Sequence, residues 1–430
     1  MRAAALPRIA FDRAPAHVGH AALAGSVVCG ALIATRAAAA ASALTPASWH
    51  GLPAWMAGPL HGLAGRPLSA HMYAVLFVGM CVSYALSLAT ARHLDTRAAL
   101  VAVAVLHALF LLAPPLLSAD VFGYIDYARI GVAHSLDPYA HGPASAPHDA
   151  VFSYMRWRGD MPSPYGPLFT LGSYALAPLS VAASLWVLKT AAALASLATV
   201  WFVYDCARRL RIAPLRAAVL VGLNPLVLVW AVAGAHNDLF VVAAVTASVW
   251  LAVRGRDRLA GAGLVAAVGL KLSAGVALPF MLVQRRGAAR AVLAAATATV
   301  ALTAAAFGPA SIESMLRVQS DQQSIVATAS VPEQVGRLVG AGGATPALRA
   351  LLLGGFACLV VGLLVRTWRG SIGWIAASGW ATLGALVSTA WLMPWYATWL
   401  LPPAALARDR RLTFAALALC AYLVVMRTPL

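Results

Sequence analysis

The chain has 430 residues, of which 61% are hydrophobic and only 10% are charged, and its formal net charge is +17. A soluble domain carries about 25% charged residues, so this composition excludes a water-exposed globular fold for most of the chain. The arginines form short clusters between apolar runs instead of one continuous basic face, which argues against nucleic acid as a partner.

The apolar runs predict an all-α polytopic membrane protein, with about 11–13 membrane helices in a single transmembrane domain over residues 1–430. A spanning helix needs about 20 apolar residues, and runs this long and unbroken exclude a barrel. The runs lie near residues 21–43, 71–91, 98–117, 167–183, 184–206, 216–233, 238–253, 259–283, 288–308, 346–365, 371–393, 394–407 and 412–427.

The arginine clusters predict which loops are cytoplasmic, because cytoplasmic loops are enriched in arginine and lysine. Clusters occur at 92–97, 208–216, 254–258, 285–290, 366–369 and 408–411. The alternation of sides fails at two runs. We therefore expect 167–183 to be an interfacial or re-entrant helix, and 259–283 to be either two short helices folded back at Lys271 or one span that breaks the rule.

Two long loops, 118–166 and 308–345, then lie on the opposite, extracytoplasmic face together with most of the acidic residues. This arrangement predicts a multi-pass protein of the plasma (inner) membrane whose active site faces the periplasm or the exterior. We expect the first loop to contain short juxtamembrane helices and to carry the catalytic residues.

The first loop begins directly after an apolar helix, which places Asp120 at the membrane surface. If residues 121–129 are helical, Tyr124 and Tyr127 share a face with Asp120, while Asp126 and Arg129 pair at a spacing of three residues. Partial desolvation would raise the pKa of Asp120 towards the range of a general base. The simpler alternative is that Asp120 or Ser118 caps the helix.

The rest of the loop is rich in aromatic residues that could bind a sugar. After Asp137 and Tyr139 come Phe152, Tyr154, Trp157 and Tyr165, and prolines at 162, 164 and 167 predict a rigid turn that holds Tyr165. Aromatic side chains also form ordinary interfacial belts, so any single one can be an anchor instead of a ligand contact.

Three further segments carry polar or aromatic groups at membrane depth. His236, Asn237 and Asp238 stand between two apolar runs, where they form either a functional site or only a turn. The only two lysines, Lys189 and Lys271, lie inside apolar runs, where an ammonium needs an anion or must snorkel to the interface, which we consider more plausible for Lys189. Trp395 and Tyr396 follow a proline near the outer face.

These segments together resemble the GT-C superfamily of membrane glycosyltransferases, most closely the polyprenol-phosphomannose-dependent α-1,6-mannosyltransferases. The matching segments occur in family order from about residue 110 to 403. They are residues 118–129, Asp137-Pro138-Tyr139, His141-Gly142-Pro143, 164–168, Asn224-Pro225, 234–238, Lys271, Leu278-Pro279-Phe280 and Trp395-Tyr396.

The resemblance implies a GT-C-type fold and transfer of a hexose, expected to be mannose, from a polyprenyl-monophosphate donor to a glycan or glycolipid of the cell envelope. It implies an inverting reaction with Asp120 as the general base. Lys271, Arg129 and His236 are then the candidates for stabilising the departing phosphate. We expect neither a cofactor nor a metal, because a single acid stands where many members of the superfamily have two.

Two other classes of protein fit parts of the sequence. A transporter or flippase of a lipid-linked sugar or anionic lipid would explain ionisable residues within spans and a broken helix at Lys271, although no internal repeat is visible. A non-catalytic assembly or sensor protein would leave Asp120, Asp238 and Lys271 without a common purpose.

Overall fold

The computed structural model describes residues 16–39, 42–46, 52–63 and 65–428. Within these ranges every regular element is a helix and no strand occurs, which confirms the predicted all-α polytopic fold. In chain order the α-helices are α1 (Ala16–Ala37), α2 (Ala54–Ala57), α3 (Ala70–Ala89), α4 (Thr96–Leu112), α5 (Asp120–Val132), α6 (Pro167–Ser173), α7 (Val181–Arg209), α8 (Pro214–Gly222), α9 (Asp238–Val253), α10 (Asp257–Leu270), α11 (Leu278–Gln284), α12 (Ala289–Phe307), α13 (Ala310–Ser324), α14 (Val331–Leu338), α15 (Pro346–Trp368), α16 (Trp374–Ser388), α17 (Ala397–Leu406) and α18 (Arg410–Arg427).

Five helices of the described chain, α1, α3, α7, α12 and α15, are long and apolar enough to cross a membrane. A sixth span results if α8 and the π-helical segment Leu226–Val232, which meet at 47°, cross together. Shorter apolar helices, among them α4, α9 and α16, complete the bundle. The exact number of crossings stays a prediction, as does the division into loops at 118–166 and 308–345.

The bend after α8 follows from Asn224-Pro225. A proline inside a helix has no N–H to donate and its ring displaces the preceding turn. The Asn224 side chain replaces part of the lost bonding by accepting the N–H of Leu226 at 3.0 Å. The chain continues as a π-helix over Leu226–Val232, a form that occurs frequently at functional sites, and it leads directly into residues 234–238.

The two apolar runs at which the alternation of sides failed, 167–183 and 259–283, are not continuous helices. The run that starts at Pro167 forms only the seven-residue helix α6, which is too short to cross a membrane. The run at 259–283 breaks at Lys271, whose backbone is extended (φ −160°, ψ 129°) between α10 and the 3-10 segment Leu272–Ala277. The break lies at the residue that the first alternative named, and the fold-back itself stays a prediction.

Lys189 lies in the middle of the bundle and does not snorkel to the interface. It is fully buried in α7, and its ammonium donates to the backbone carbonyls of Phe110 at 3.2 Å and Ala233 at 2.8 Å. These carbonyls belong to the last turn of α4 and to the end of the π-helical segment. Helix C-termini carry a partial negative charge, so these two carbonyls stabilise the Lys189 ammonium without a carboxylate partner.

The first long loop contains short helices, as the sequence predicted, and the first of them is α5. Helix α5 is buried along most of its length, from Val121 to Ala128. The segment predicted as a second long loop contains two helices, α13 and α14.

Candidate active site

Asp120 is the first residue of α5 and lies in a cleft of about 80 Å³. Its backbone N–H donates to Ser118 Oγ at 3.2 Å, so the serine provides the capping oxygen and the carboxylate does not. The Asp120 side chain keeps 33% of its surface exposed, in contrast to the neighbouring acids. Its carboxylate is thus free to meet a ligand in the cleft.

Burial in the cleft raises the pKa of the Asp120 carboxyl. Hydrogen bonding of the Ser118 hydroxyl to the carboxylate and the positive charge of Lys271 oppose this rise, and the negative charge of Asp238 adds to it. The Asp120 side chain is partly exposed and yet desolvated, because its carboxylate faces a narrow cleft lined by protein and not bulk water. A raised pKa suits a general base.

Residues from four separate parts of the chain line the cleft. Tyr127 and Tyr165 form one wall. Trp157, which the sequence analysis named among the aromatic residues that could bind a sugar, also lines the cleft. The sequence analysis did not select three other lining residues, which are Arg156, Gln322 of α13 and Trp391. Arg156 could have been noticed, because it is an arginine in a loop assigned to the acid-rich face.

The aromatic face predicted for α5 is present. The Tyr124 ring meets the Tyr165 ring edge-on at 4.9 Å, and Tyr127 meets the same ring at 6.0 Å. The Tyr127 hydroxyl donates to the carbonyl of Met161 at 2.8 Å, which fixes the chain just before the proline-rich turn. Tyr165 is therefore held by α5 at the edge of the Asp120 cleft.

The proline-rich turn docks on the break before Lys271. The Gly166 N–H donates to the Leu270 carbonyl at 3.0 Å, a carbonyl that the end of α10 leaves unpaired. A Cβ on Gly166 would lie 2.3 Å from the Gly269 carbonyl oxygen, so only glycine permits this approach. The contact joins the first outer loop to the Lys271 segment.

His236 lies directly behind Asp120. Its ring is fully buried and stacks on Trp395, with ring centroids 3.7 Å apart and planes inclined by 17°. His236 Nδ1 is 3.6 Å from Asp120 Oδ2, which is beyond hydrogen-bond distance. Burial and the charge of Lys271 hold the pKa of His236 well below its usual value, so the ring is neutral.

Asp238 and Lys271 form a buried ion pair beside this histidine. Lys271 Nζ is 2.8 Å from Asp238 Oδ1, and the indole N–H of Trp399 donates to the same oxygen at 2.8 Å. The ammonium also lies 5.0 Å from the Tyr396 ring centroid. Asp238 is 1% exposed and Lys271 is 17% exposed, so the lysine charge is already compensated before any ligand binds.

Asn237 connects α5 to the turn at residues 236–238. Its backbone N–H donates to the Tyr124 hydroxyl at 3.1 Å, which explains the position of Tyr124 on the predicted face. The Asn237 side-chain amide is buried and has no hydrogen-bond partner in the described structure. The structure thus brings Asp120, Tyr124, Tyr165 and the 236–238 turn together with Lys271, Trp395 and Tyr396.

The predicted pair between Asp126 and Arg129 is wrong. Arg129 Nε binds both oxygens of Asp149, at 2.7 and 2.9 Å, and its Nη1 donates to the Ala177 carbonyl. His134 binds Asp149 from the other side at 2.7 Å. Arg129 therefore fastens the loop to α5 and is not available to a phosphate in the Asp120 cleft.

Asp126 and the Asp137–Tyr139 turn have roles inside the protein. Asp126 is 1% exposed and neither carboxylate oxygen has a hydrogen-bond partner in the described structure. Burial raises its pKa to about 7. Asp137 accepts the Tyr139 N–H at 2.9 Å, and the Tyr139 hydroxyl contacts the Tyr165 carbonyl at 3.0 Å, so this turn supports Tyr165 from behind.

The aromatic residues of the first loop divide into two groups. Tyr154 stacks on Phe122 and meets Trp55 edge-on, so it packs against the core. Phe152 is half-buried and lies under the exposed Arg158 guanidinium. Trp157 lines the cleft and is half exposed.

No group of three or more metal-ligating side chains occurs among the described residues. Metal independence stays a prediction.

Comparison with known proteins connects this geometry to a family. The family described as Alpha-(1->6)-mannopyranosyltransferase, N-terminal domain, matches residues 22–287. Alpha-(1->6)-mannopyranosyltransferase A of Mycobacterium tuberculosis is 28% identical over 348 residues, which are 74% of this chain and 67% of the relative. Proteins A and B of that name from Corynebacterium glutamicum are 29% and 28% identical over 39% and 35% of this chain, and over 35% and 26% of their own lengths. No solved structure matches.

The helical fold and these matches define a membrane glycosyltransferase. The matched segment covers more than half of the chain and contains Asp120, His236, Asp238 and Lys271. The chain belongs to the alpha-(1->6)-mannopyranosyltransferase family, as the sequence resemblance predicted.

Proposed function

We propose that the protein transfers mannose from a polyprenyl-monophosphate donor to a glycan or glycolipid acceptor, with Asp120 as the general base. The observation that carries this proposal is the accessibility of the Asp120 carboxylate in the cleft. The other acids beside it, Asp126, Asp149 and Asp238, are buried, and the last two bind basic partners. Only Asp120 among these four is placed to accept a proton from a ligand.

The proposed reaction is a single displacement with inversion. The acceptor hydroxyl oxygen bonds to the anomeric carbon of mannose as the bond from that carbon to the phosphate oxygen breaks. The hydroxyl proton moves to the Asp120 carboxylate, and the polyprenyl phosphate leaves with the bonding electrons. Transfer therefore rises as the pH passes upward through the raised pKa of Asp120 and falls below it.

The proposed partner of the departing phosphate is Arg156. It lines the same cleft as Asp120 and lies close enough to lower the pKa of that carboxyl. Lys271 is a weaker candidate than the sequence suggested, because Asp238 already binds its ammonium. Cationic groups beside a developing phosphate charge stabilise the transition state without reorganisation.

Trp157, Tyr165 and Trp391 are the proposed sugar platform. Indole and phenol rings combine an apolar face with a polar edge, which suits a mannose ring. The cleft lies at the end of the bundle that the arginine distribution assigns to the extracytoplasmic side. We accordingly propose that the protein acts at the outer face of the plasma membrane.

The proposal is tested by converting Asp120 to Asn and, separately, Arg156 to Gln. Transfer from radiolabelled polyprenyl-phosphate mannose is measured in membranes. We expect a loss of at least about 100-fold for Asp120→Asn, the lower range for removing a general base. The matched control is Asp160→Asn, which removes an exposed acid from the same loop. Near-normal transfer by Asp120→Asn would overturn the assignment.

A flippase remains the alternative, because two apolar segments are broken, at Asn224-Pro225 and at Lys271. The break at Lys271 lies near Asp120, where the lysine charge acts on the carboxylate and also suits a catalytic site. The two functions differ in the fate of the donor. Reconstituted protein that moves polyprenyl-phosphate mannose across the bilayer unchanged, without forming a mannosylated product, would favour the flippase.

A further inference from the structure

A second cavity, of about 520 Å³, lies at the opposite end of α7 from the Asp120 cleft. Helix α7 has 29 residues and a length of roughly 43 Å at about 1.5 Å per residue. It is therefore longer than the hydrocarbon core of about 30 Å, and its last turn reaches the headgroup level. The cavity is enclosed by the ends of α7, α11 and α17 and by the start of α16.

Four arginines and no acidic residue line this cavity. Arg209 is held by Asp205 at 3.0 Å, and Arg285 lies 3.5 Å from Asp257. The side chains of Arg211 and Arg408 form no hydrogen bond or ion pair with the described part of the chain. The cavity therefore has an uncompensated positive charge.

The backbone at Arg211 and Arg408 is strained, as it also is at Leu117, Ser135 and Ala235 outside the cavity. Both arginines have left-handed conformations, with φ values of 54° and 53°, directly after α7 and α17. Such a conformation costs roughly 1–2 kcal/mol for a residue with a side chain. At the comparable ends of α9 and α15 the chain uses Gly255 and Gly370, with φ values of 76° and 70°. The sequence thus retains a guanidinium at two positions where glycine would relieve the strain.

We infer that this cavity binds the phosphate group of an anionic phospholipid headgroup from the surrounding leaflet. Guanidinium groups bind phosphate oxygens in pairs, and basic cavities between membrane helices suit acidic lipid heads. The apolar side chains of Leu210, Ile375 and Leu406 line the same cavity and can contact the glycerol and upper acyl carbons. The start of α16 adds the partial positive charge of a helix N-terminus, where the Trp374 N–H already donates to Gln284 Oε1 at 2.9 Å.

This inference is independent of the proposed catalysis, because the cavity and the Asp120 cleft lie at opposite ends of the bundle. It is tested with the full chain purified in a neutral detergent. Binding of dioctanoyl-phosphatidylglycerol, dioctanoyl-phosphatidylcholine and inorganic phosphate is measured by microscale thermophoresis. The test variant is Arg211→Gln with Arg408→Gln. The matched control is Arg258→Gln with Arg290→Gln, which removes two exposed arginines outside the cavity lining.

We expect saturable binding of phosphatidylglycerol to the native chain and to the control variant, and at least tenfold weaker binding to the test variant. Equal affinity for phosphatidylcholine, or equal losses in the two variants, would overturn the inference. Inorganic phosphate that binds as tightly as the lipid, with the same dependence on Arg211 and Arg408, would show a site for free phosphate and would overturn the lipid assignment.

Discussion

Replacing Lys271 with methionine tests whether the buried pair with Asp238 stabilises the site region. The change leaves a carboxylate that is 1% exposed without its cation. Removing one partner of a buried ion pair costs about 3–5 kcal/mol. Trp399 still donates to Asp238 Oδ1, and the partial exposure of Lys271 weakens the pair, so we expect a loss of about 3 kcal/mol.

The double variant Lys271→Met with Asp238→Asn distinguishes the stability that the ion pair contributes from the stability that each residue contributes through its other contacts. Asparagine keeps an oxygen for the Trp399 N–H but carries no charge, so the uncompensated carboxylate disappears. We expect the double variant to be more stable than Lys271→Met alone, with a coupling energy of about 2 kcal/mol, within the range for residues in direct contact. The Asp238→Asn variant completes the cycle.

Unfolding of the four proteins is followed in detergent by tryptophan fluorescence. Strictly additive losses, or a Lys271→Met variant as stable as the native chain, would refute the reasoning. Additivity would mean that the ammonium is held by the Tyr396 and Trp399 rings and not by the carboxylate. Lys271 would then be free for a phosphate, as the sequence first suggested.

Two other predictions follow from the site. Burial raises the pKa of Asp126 from 3.8 to about 7, so the folded state binds this proton more tightly and stability falls as the pH rises from about 4 to about 7. Asp126→Asn lacks this dependence, so it should be close to the native chain in stability below about pH 4 and more stable at pH 8, and equal pH profiles would contradict this. Gly166→Ala should displace the turn from Gly269 and lower mannose transfer at least about tenfold, because small misplacements in a site have large effects on rate. Gly172→Ala, where a Cβ meets nothing within 4 Å, is the control and should retain activity.

The sequence predicted the features that depend on local chemistry. Lysine at 271 predicted a break in an apolar run, and this break is present. The spacing of Asp120, Tyr124 and Tyr127 predicted one face of α5, and the two tyrosines do meet the same ring. Helix geometry and the requirement for backbone hydrogen bonding in lipid determine these features within a few residues of the chain.

Pairs between distant residues could not be predicted in the same way. Arg129 was expected to bind Asp126 on its own helix, where such a pair contributes only about 0.2–0.5 kcal/mol. The loop instead supplies Asp149, which offers two oxygens to the same guanidinium and makes the stronger charge-assisted contact. The position of Arg156 depends on how the same loop folds back over α5, which no local pattern contains.

Charge compensation explains why Asp120 differs from the other acids at this end of the bundle. Asp238 binds Lys271, Asp149 binds Arg129, and burial favours the neutral form of Asp126. The residue nearest to Asp120 on its inner side, His236, is neutral and too distant to donate a hydrogen bond. The cleft therefore combines one uncompensated carboxylate with one arginine. In the proposed reaction the Asp120 carboxylate accepts a proton and becomes neutral, while Arg156 keeps its positive charge and pairs with the departing phosphate.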